Sequence, residues 1–290
     1  MRVSVYSKFN IMNHYSGKIQ EELAKSQVQL ATGKKFNYAS EDPIGANQAM
    51  LISNAQDRVT QLQKNVEDAN SFLERGESIL GSTIEILQSS REKALEVANG
   101  TVSDKDRKTY ASIVDKNIDQ VLALANTKYL NRYIFSGEKT NTEAFSYDGT
   151  TATYNGDTNN MKFNVSSTFN ISISETGDVA FQDVLDSLIK LRDSMASGSD
   201  SQIESAISGL DGAMDGMIDL RSEFGTRISG LDTLKETYEQ SQTDLKAKKS
   251  VIQDADITEV VSKLALSQQL YQGTIQASTK MLQTSILNYI

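Results

Sequence analysis

The sequence predicts a mostly α protein: an elongated rod of long antiparallel helices, made of a terminal coiled coil and a helical bundle, with a small inserted β domain. Three observations carry this reading. Pro43 is the one proline in 290 residues, so little interrupts a helix. Apolar residues at both ends of the chain recur on alternating steps of three and four, which puts them on one stripe of a helix. From about 141 to 180 the period falls to two, the mark of strands. A composition of 38% hydrophobic residues with no Trp is lean for a compact globule of this length, and an elongated shape suits it better.

The first helix is expected from about Ser4 to Thr32, with Gly33 closing it, and carries the seam Val5, Phe9, Met12, Ile19, Leu23 and Leu30. A polar linker, residues 34–41, follows. Asp42-Pro43 is a start signal, because Asp can cap free amides and Pro suits the first helical position. The helix it opens, with Val59, Leu62, Val66, Ala69, Leu73, Leu80, Ile84 and Leu87 on one face, reaches about Ala98 and closes at Asn99-Gly100. Gly76 and Gly81 mark a kink or a change of packing partner. Ser103 caps a third helix with the stripe Tyr110, Val114, Ile118, Val121 and Ala125, and Asp104 and Asp106 sit at its positive dipole end.

The pattern changes at Tyr133-Ile134-Phe135-Ser136-Gly137. Met161, Phe163 and Val165 then alternate with polar residues, as do Phe169, Ile171 and Ile173, and Asp148-Gly149 and Asn155-Gly156 are turn signals. Helix resumes from Phe181 to about Ala196, breaks at Ser197-Gly198-Ser199, and runs on from about Ser201 to Gln253. Asp256-Ile257-Thr258-Glu259 has the form of a capping box for a last helix reaching Tyr289, whose seam is Ile257, Val261, Leu264, Tyr271, Ile275, Leu282 and Tyr289. The expected division is 1–41 (first coiled-coil helix and linker), 42–140 (rod), 141–180 (β insertion), 181–254 (rod) and 255–290 (second coiled-coil helix).

Charge is distributed unevenly. The net charge is −9, yet residues 1–20 and the stretch after Glu259 hold no Asp or Glu and five basic residues, Arg2, Lys8, Lys18, Lys263 and Lys280. Between Leu264 and Ile290 only Lys280 is charged. An exposed helix of that length normally carries more charge for solubility, so the ends are expected to be buried in an assembly where unpaired charge is costly. The acidic balance argues against a general affinity for nucleic acid. No apolar run approaches the roughly 20 residues of a membrane span, and the first residues lack the apolar core of a cleavable signal.

Chemistry finds little support. The chain has no Cys and one His, His14, so nucleophile–base pairs lack a partner and His/Cys metal sites are excluded by count. Asp183, Asp186 and Asp193 read as the wet face of an amphipathic helix. No catalytic, cofactor or metal residue is assigned. An enzyme acting on cell-wall polymer would need paired carboxylates in a groove, and no spacing singles out a pair.

Met1-Arg2-Val3-Ser4, Gly33-Lys34-Lys35, Ser40-Glu41-Asp42-Pro43, Asn65 with Asp68-Ala69-Asn70, Tyr133-Ile134-Phe135-Ser136-Gly137 and the ending Ser285-Ile286-Leu287-Asn288-Tyr289-Ile290 carry a resemblance. The chain resembles the flagellin-like proteins of the bacterial flagellum, over roughly 1–140 and 180–290. Within them it is similar to the hook-associated branch at the hook–filament junction. Flagellin itself usually has a paired-Asp, Ala-rich, Gly-containing segment in place of Asp42-Pro43-Ile44-Gly45, and lacks the Tyr-Ile-Phe-Ser-Gly turn. Glu41 stands where many junction proteins have an Asp. The resemblance implies a non-enzymatic, extracellular subunit, exported through the flagellar type III channel without a cleaved signal. It would be a homo-oligomer in a ring, between another hook-associated protein and flagellin, and bound before export by a cytoplasmic chaperone near its C-terminus. The two seams would then be its assembly interface, with neither nucleic acid nor membrane as partner. The other reading is a filament-forming flagellin.

Overall fold

In the computed structural model, which describes residues 5–98, 102–166 and 169–287, six long helices account for most of the chain: α1 (Val5–Thr32), α2 (Pro43–Ala98), α3 (Asp104–Ala125), α4 (Asp183–Ser197), α5 (Asp200–Gln253) and α6 (Ile257–Leu287). Six short strands lie between α3 and α4: β1 (Lys128–Tyr129), β2 (Arg132–Tyr133), β3 (Phe145–Tyr147), β4 (Ala152–Tyr154), β5 (Lys162–Asn164) and β6 (Asn170–Ser172). The expected closing turn at Asn99-Gly100 and the seam residue Tyr289 lie outside the described residues.

Helix ends fall where the capping residues place them. Gly33 takes φ +70°, and its amide donates to the Gln29 carbonyl at 2.8 Å, ending α1. Asp42 Oδ1 accepts the Gly45 amide at 2.9 Å, and Ser103 Oγ accepts the Asp106 amide at 3.3 Å. Asp256 Oδ1 accepts the amides of Thr258 and Glu259 at 2.9 and 3.3 Å. A Cβ on Gly45 would strike the Asp42 carboxylate and come within 2.9 Å of the Phe36 ring, so the cap itself demands glycine three residues later. Before α4 the chain makes one turn of wider π-helix, Asp178–Gln182, with Phe181 fully buried.

The chain forms two compact units, residues 59–240 and residues 1–58 with 241–290; α2 and α5 contribute to both. The first holds a continuous apolar core running from Val66 to Leu231. Leu73, Leu80 and Leu87 of α2, Val114, Ile118 and Val121 of α3, Leu185 and Leu188 of α4, and Leu210, Phe224 and Leu231 of α5 are all buried in it. Cα atoms of α3 and α4 come within 8 Å of each other. α2 runs unbroken through both of its interior glycines. Gly76 leaves room for the Phe224 ring, whose Cε1 stands 2.6 Å from where a Cβ would lie, whereas Gly81 has only the Arg221 guanidinium beside it at 3.4 Å.

The β region is three separate antiparallel hairpins rather than one sheet. β3 pairs with β4 (Phe145 with Tyr154), and β5 with β6 (Phe163 with Ile171). Asp148 Oδ1 accepts the Thr150 and Thr151 amides at 2.8 and 2.7 Å, which closes the β3–β4 turn and pulls this carboxylate down to about 2. Phe145, Ala152, Val165 and Ile173 sink into the same core as the helices, while Phe169 faces solvent. The β5–β6 hairpin is held by helix side chains: Asn65 Nδ2 donates to the Asn164 carbonyl at 2.8 Å, and Tyr238 Oη to the Val165 carbonyl at 2.7 Å.

The two glycines of α2 are expected to respond to alanine with opposite sign. Gly76→Ala gains about 1 kcal/mol of helix propensity but overpacks a fixed buried ring at a cost of about 1–3 kcal/mol, for a net destabilisation of up to about 2 kcal/mol. Gly81→Ala meets only ordinary contact, so propensity wins and the unit gains up to about 1 kcal/mol. Chemical denaturation of the full chain measures both. In the same assay Asp42→Ala should cost about 1 kcal/mol through the lost cap.

Candidate assembly interface

The unit formed by 1–58 and 241–290 is built from α1, the start of α2, the end of α5, and α6. Among its described hydrophobic residues only Phe36, Ala49 and Val260 are buried in the chain itself. α1 and α6 lie antiparallel with Cα atoms within 8 Å, and Gln20 Nε2 donates to Tyr271 Oη at 2.8 Å across the pair. The side chains that turn inward on α6 are Val260, Leu264, Ser267, Tyr271, Thr274, Ser278 and Met281, a strict alternation of four and three. On α1 they are Phe9, Met12, Ser16, Ile19, Leu23 and Ser26. Small hydroxyl residues recur along this seam, and Ser26 and Ser267 are as buried as Val260, at 6% exposure each. Small side chains are what let two helix backbones approach this closely.

The predicted seam residues therefore divide. Phe9, Met12, Ile19, Leu23, Leu264 and Tyr271 are half-buried in the α1–α6 pair. Leu30, Ile257, Val261 and Ile275 face solvent, as do Ile11, Tyr15, Val28, Leu266 and Leu270. Of Val5 and Leu282 the structure describes the backbone, not the side chain. Val261 and Ile275 stand one position past the inward stripe, Leu266 and Leu270 one position short of it, so the pair carries an apolar flank on each side. One flank is a groove lined by Ile11, Met12, Tyr15, Leu266, Leu270 and Met281, with Gly273 and Ala277 between them. Fourteen of the twenty exposed large apolar residues among those described belong to this unit, although it has 108 of the 290 residues. That excess is too large for scattered surface residues and makes this unit the candidate interface.

Sequence reading missed two features. Ser26 and Ser267 occupy core positions, and only the unbroken four–three spacing through Val260 and Ser267 could have shown it. A backbone connection also joins the two linkers: Lys34 pairs with Asp254 as an antiparallel bridge, the Lys35 amide donates to the Gln253 carbonyl at 2.7 Å, and the Ala255 amide to the Gly33 carbonyl at 2.8 Å.

The arrangement offers binding surface rather than chemistry. His14 stands exposed on α1 with its ring edge-on to Tyr15. Asp193 pairs with Arg192 and Asp186 accepts from Gln182, as on a wet helix face. Among the described residues no three metal-binding side chains converge, and no helix is long and apolar enough to cross a membrane.

Comparison with known proteins follows this architecture. The family model described as the bacterial flagellin N-terminal helical region matches residues 3–140, and that of the bacterial flagellin C-terminal helical region matches residues 207–290. The flagellar hook-associated protein 3 of Escherichia coli (strain K12) is 29% identical, over 90% of this chain and 91% of its own. The structure of a putative flagellar hook-associated protein from Vibrio parahaemolyticus superposes with a TM-score of 0.69 at 20% identity, over 73% of this chain and 99% of that one. The flagellar junction protein FlgL of Legionella pneumophila does so with a TM-score of 0.60 at 17% identity, over 73% and 100%. With the two helical regions of flagellin matched over its N- and C-terminal parts, the chain belongs to the bacterial flagellin family, a family of flagellar structural proteins and not of enzymes.

Proposed function

We propose that this chain is a junction subunit of the flagellum, joining the hook, through another hook-associated protein, to the flagellin filament. The observation that carries this is the terminal unit with two apolar flanks and almost no core of its own. Neighbouring copies in a ring, and relatives above and below it, would cover those flanks with equivalent helices. Val5, Phe9, Met12, Ile19, Leu23, Leu30, Ile257, Val261, Leu264, Tyr271, Ile275, Leu282 and Tyr289 then serve in two groups, one closing the α1–α6 pair and one meeting neighbours. An identity of 29% to a hook-associated protein, against 24–25% to flagellins matched over as much of the chain, supports the junction role over that of a filament subunit.

The same reading covers the route to the assembly. Passage through a narrow export channel requires an unfolded chain that refolds without traps. The absence of Cys and the single Pro43, the first residue of a helix, suit that requirement. A cytoplasmic chaperone covering the apolar C-terminal helix before export fits its lack of acidic residues after Glu259.

Leu270 is exposed, so Leu270→Glu should change the stability of the isolated chain by no more than about 0.5 kcal/mol. It should nevertheless abolish incorporation into hook–filament structures, scored by electron microscopy of cells carrying the variant; normal incorporation would refute the interface. On this reading the end helices complete their folding only as they assemble, so amide exchange in the verified monomer should be faster along α1 and α6 than in residues 59–240, and equal protection would refute this coupled folding. Added to hook seeds, the purified chain should form a short terminal layer and stop. Long filaments grown from it alone would establish the flagellin reading instead.

A further inference from the structure

We propose that the paired linkers at 33–37 and 251–256 act as a clasp that closes before assembly, so that the α1–α6 pair orders from its base toward the chain ends. The proposal deepens the coupled-folding reading above by giving the order in which the pair forms.

Three features meet at the clasp. The first is backbone pairing: the Lys35 and Ala255 amides donate to the Gln253 and Gly33 carbonyls, on either side of the Lys34–Asp254 bridge. The second is satisfaction of helix ends. Lys35 Nζ donates to the Val251 carbonyl at 2.9 Å, so with the Lys35 amide it covers two of the four carbonyls left open at the end of α5. Gln29 Nε2 donates to the Lys35 carbonyl at 2.6 Å, and Glu41 Oε2 accepts the Asn37 amide at 2.8 Å. The third is packing, since Phe36 is buried here in a unit with few buried apolar side chains.

The clasp is also close in sequence to the best-buried part of the seam. Ser26, Val260 and Ser267 lie within about fifteen residues of it, whereas Phe9, Met12, Tyr271 and Met281 farther along are only half-buried. Neighbouring helices are already tied at this end: Gln242 Nε2 donates to the Gln56 carbonyl at 2.9 Å and Lys249 Nζ to Ser53 Oγ at 2.7 Å. Pairing at the base leaves each further turn of seam to close a short loop, which costs little entropy. Starting from the free ends would mean closing the whole length at once.

Hydrogen exchange on the full-length monomer, resolved by residue, tests this with two variants. Gly33 has open space around its Cβ position and φ +70°, so Gly33→Val strains the backbone without removing a contact. The Lys34–Asp254 pair is the non-hydrogen-bonded kind, whose Cα atoms stand about 4.5 Å apart, and Lys34→Cys with Asp254→Cys can form a disulfide in a chain with no other cysteine. In the wild type the Lys35 and Ala255 amides should be the most protected of this unit's linker and terminal segments, with protection falling along α1 and α6 toward the ends. Gly33→Val should speed exchange at these amides and at 23–29 and 260–267 by about tenfold or more. Amides of Leu73, Leu185 and Phe224 should stay unchanged, as the control for folding. Oxidising the cysteine pair in the Gly33→Val background should restore the gradient. Equal exchange along α1 and α6, or base protection insensitive to Gly33→Val, would overturn the clasp, even in a chain that still joins the junction. A gradient retained by a chain that never enters hook–filament structures would leave the clasp standing and refute the junction role.

Discussion

The structure depends on one imbalance: nearly all fully buried apolar side chains belong to residues 59–240, and most exposed large ones to the remainder. Burial of apolar area is what stabilises helices in tertiary structure, because most helical stability in proteins comes from packing an amphipathic face rather than from intrinsic propensity. The inner unit satisfies this requirement by itself. Leu and Ile stripes of four helices and the inward faces of three hairpins close on one core, with Phe135, Phe145 and Phe181 packed edge to face or tilted within it. The terminal unit does not, and its deficit gives the end helices a reason to seek other molecules.

Much of this was legible in the sequence, and the legible parts share a physical cause. Helix limits followed from Asp42, Ser103, Asp256 and Gly33 because capping is local, decided within three or four residues. The β3–β4 turn followed from Asp148-Gly149 for the same reason. The phase of a seam is less local. Val260 and Val261 are equally apolar, and only packing against α1 decides which turns inward. Ser26 and Ser267 are buried there too, since a seam this tight prefers small side chains. The clasp left no sequence signal at all, because it joins residues some 220 positions apart through backbone atoms.

The motif Tyr133-Ile134-Phe135-Ser136-Gly137 was legible as a signature but not as a mechanism. In the structure it is the anchor between helices and hairpins. Ile134 and Phe135 are fully buried, the Phe135 carbonyl accepts both the Gly177 amide at 2.7 Å and Tyr154 Oη at 3.1 Å, and Gly137 takes φ +68° against Asp157. A Cβ on Gly177 would come within 2.8 Å of the Phe135 carbonyl and of the Phe145 and Tyr154 rings. Burial pushes the Tyr154 hydroxyl up to about 12, so it stays a donor at any physiological pH. Gly137, Gly177 and Tyr154 are thus one unit of packing around Phe135, and any one is explained only by the others.

On the proposed assembly, the scarcity of charge along α6, with only Glu259, Lys263 and Lys280 in 31 residues, follows from the same imbalance. A helix that is to be covered on both flanks of a seam has little surface left for solvated charge, and an ion trapped there would lose hydration without a partner. Gln, Ser and Thr fill the gap: they hydrogen-bond to their own helix, as Thr274 and Ser262 do to the Leu270 and Thr258 carbonyls, and they tolerate burial or water. Small hydroxyl residues interleaved with Phe9, Met12, Leu23, Leu264 and Tyr271 bring the two helices together, while Val261, Leu266, Leu270 and Ile275 stay on the flanks, where on the proposed reading a neighbouring subunit buries them.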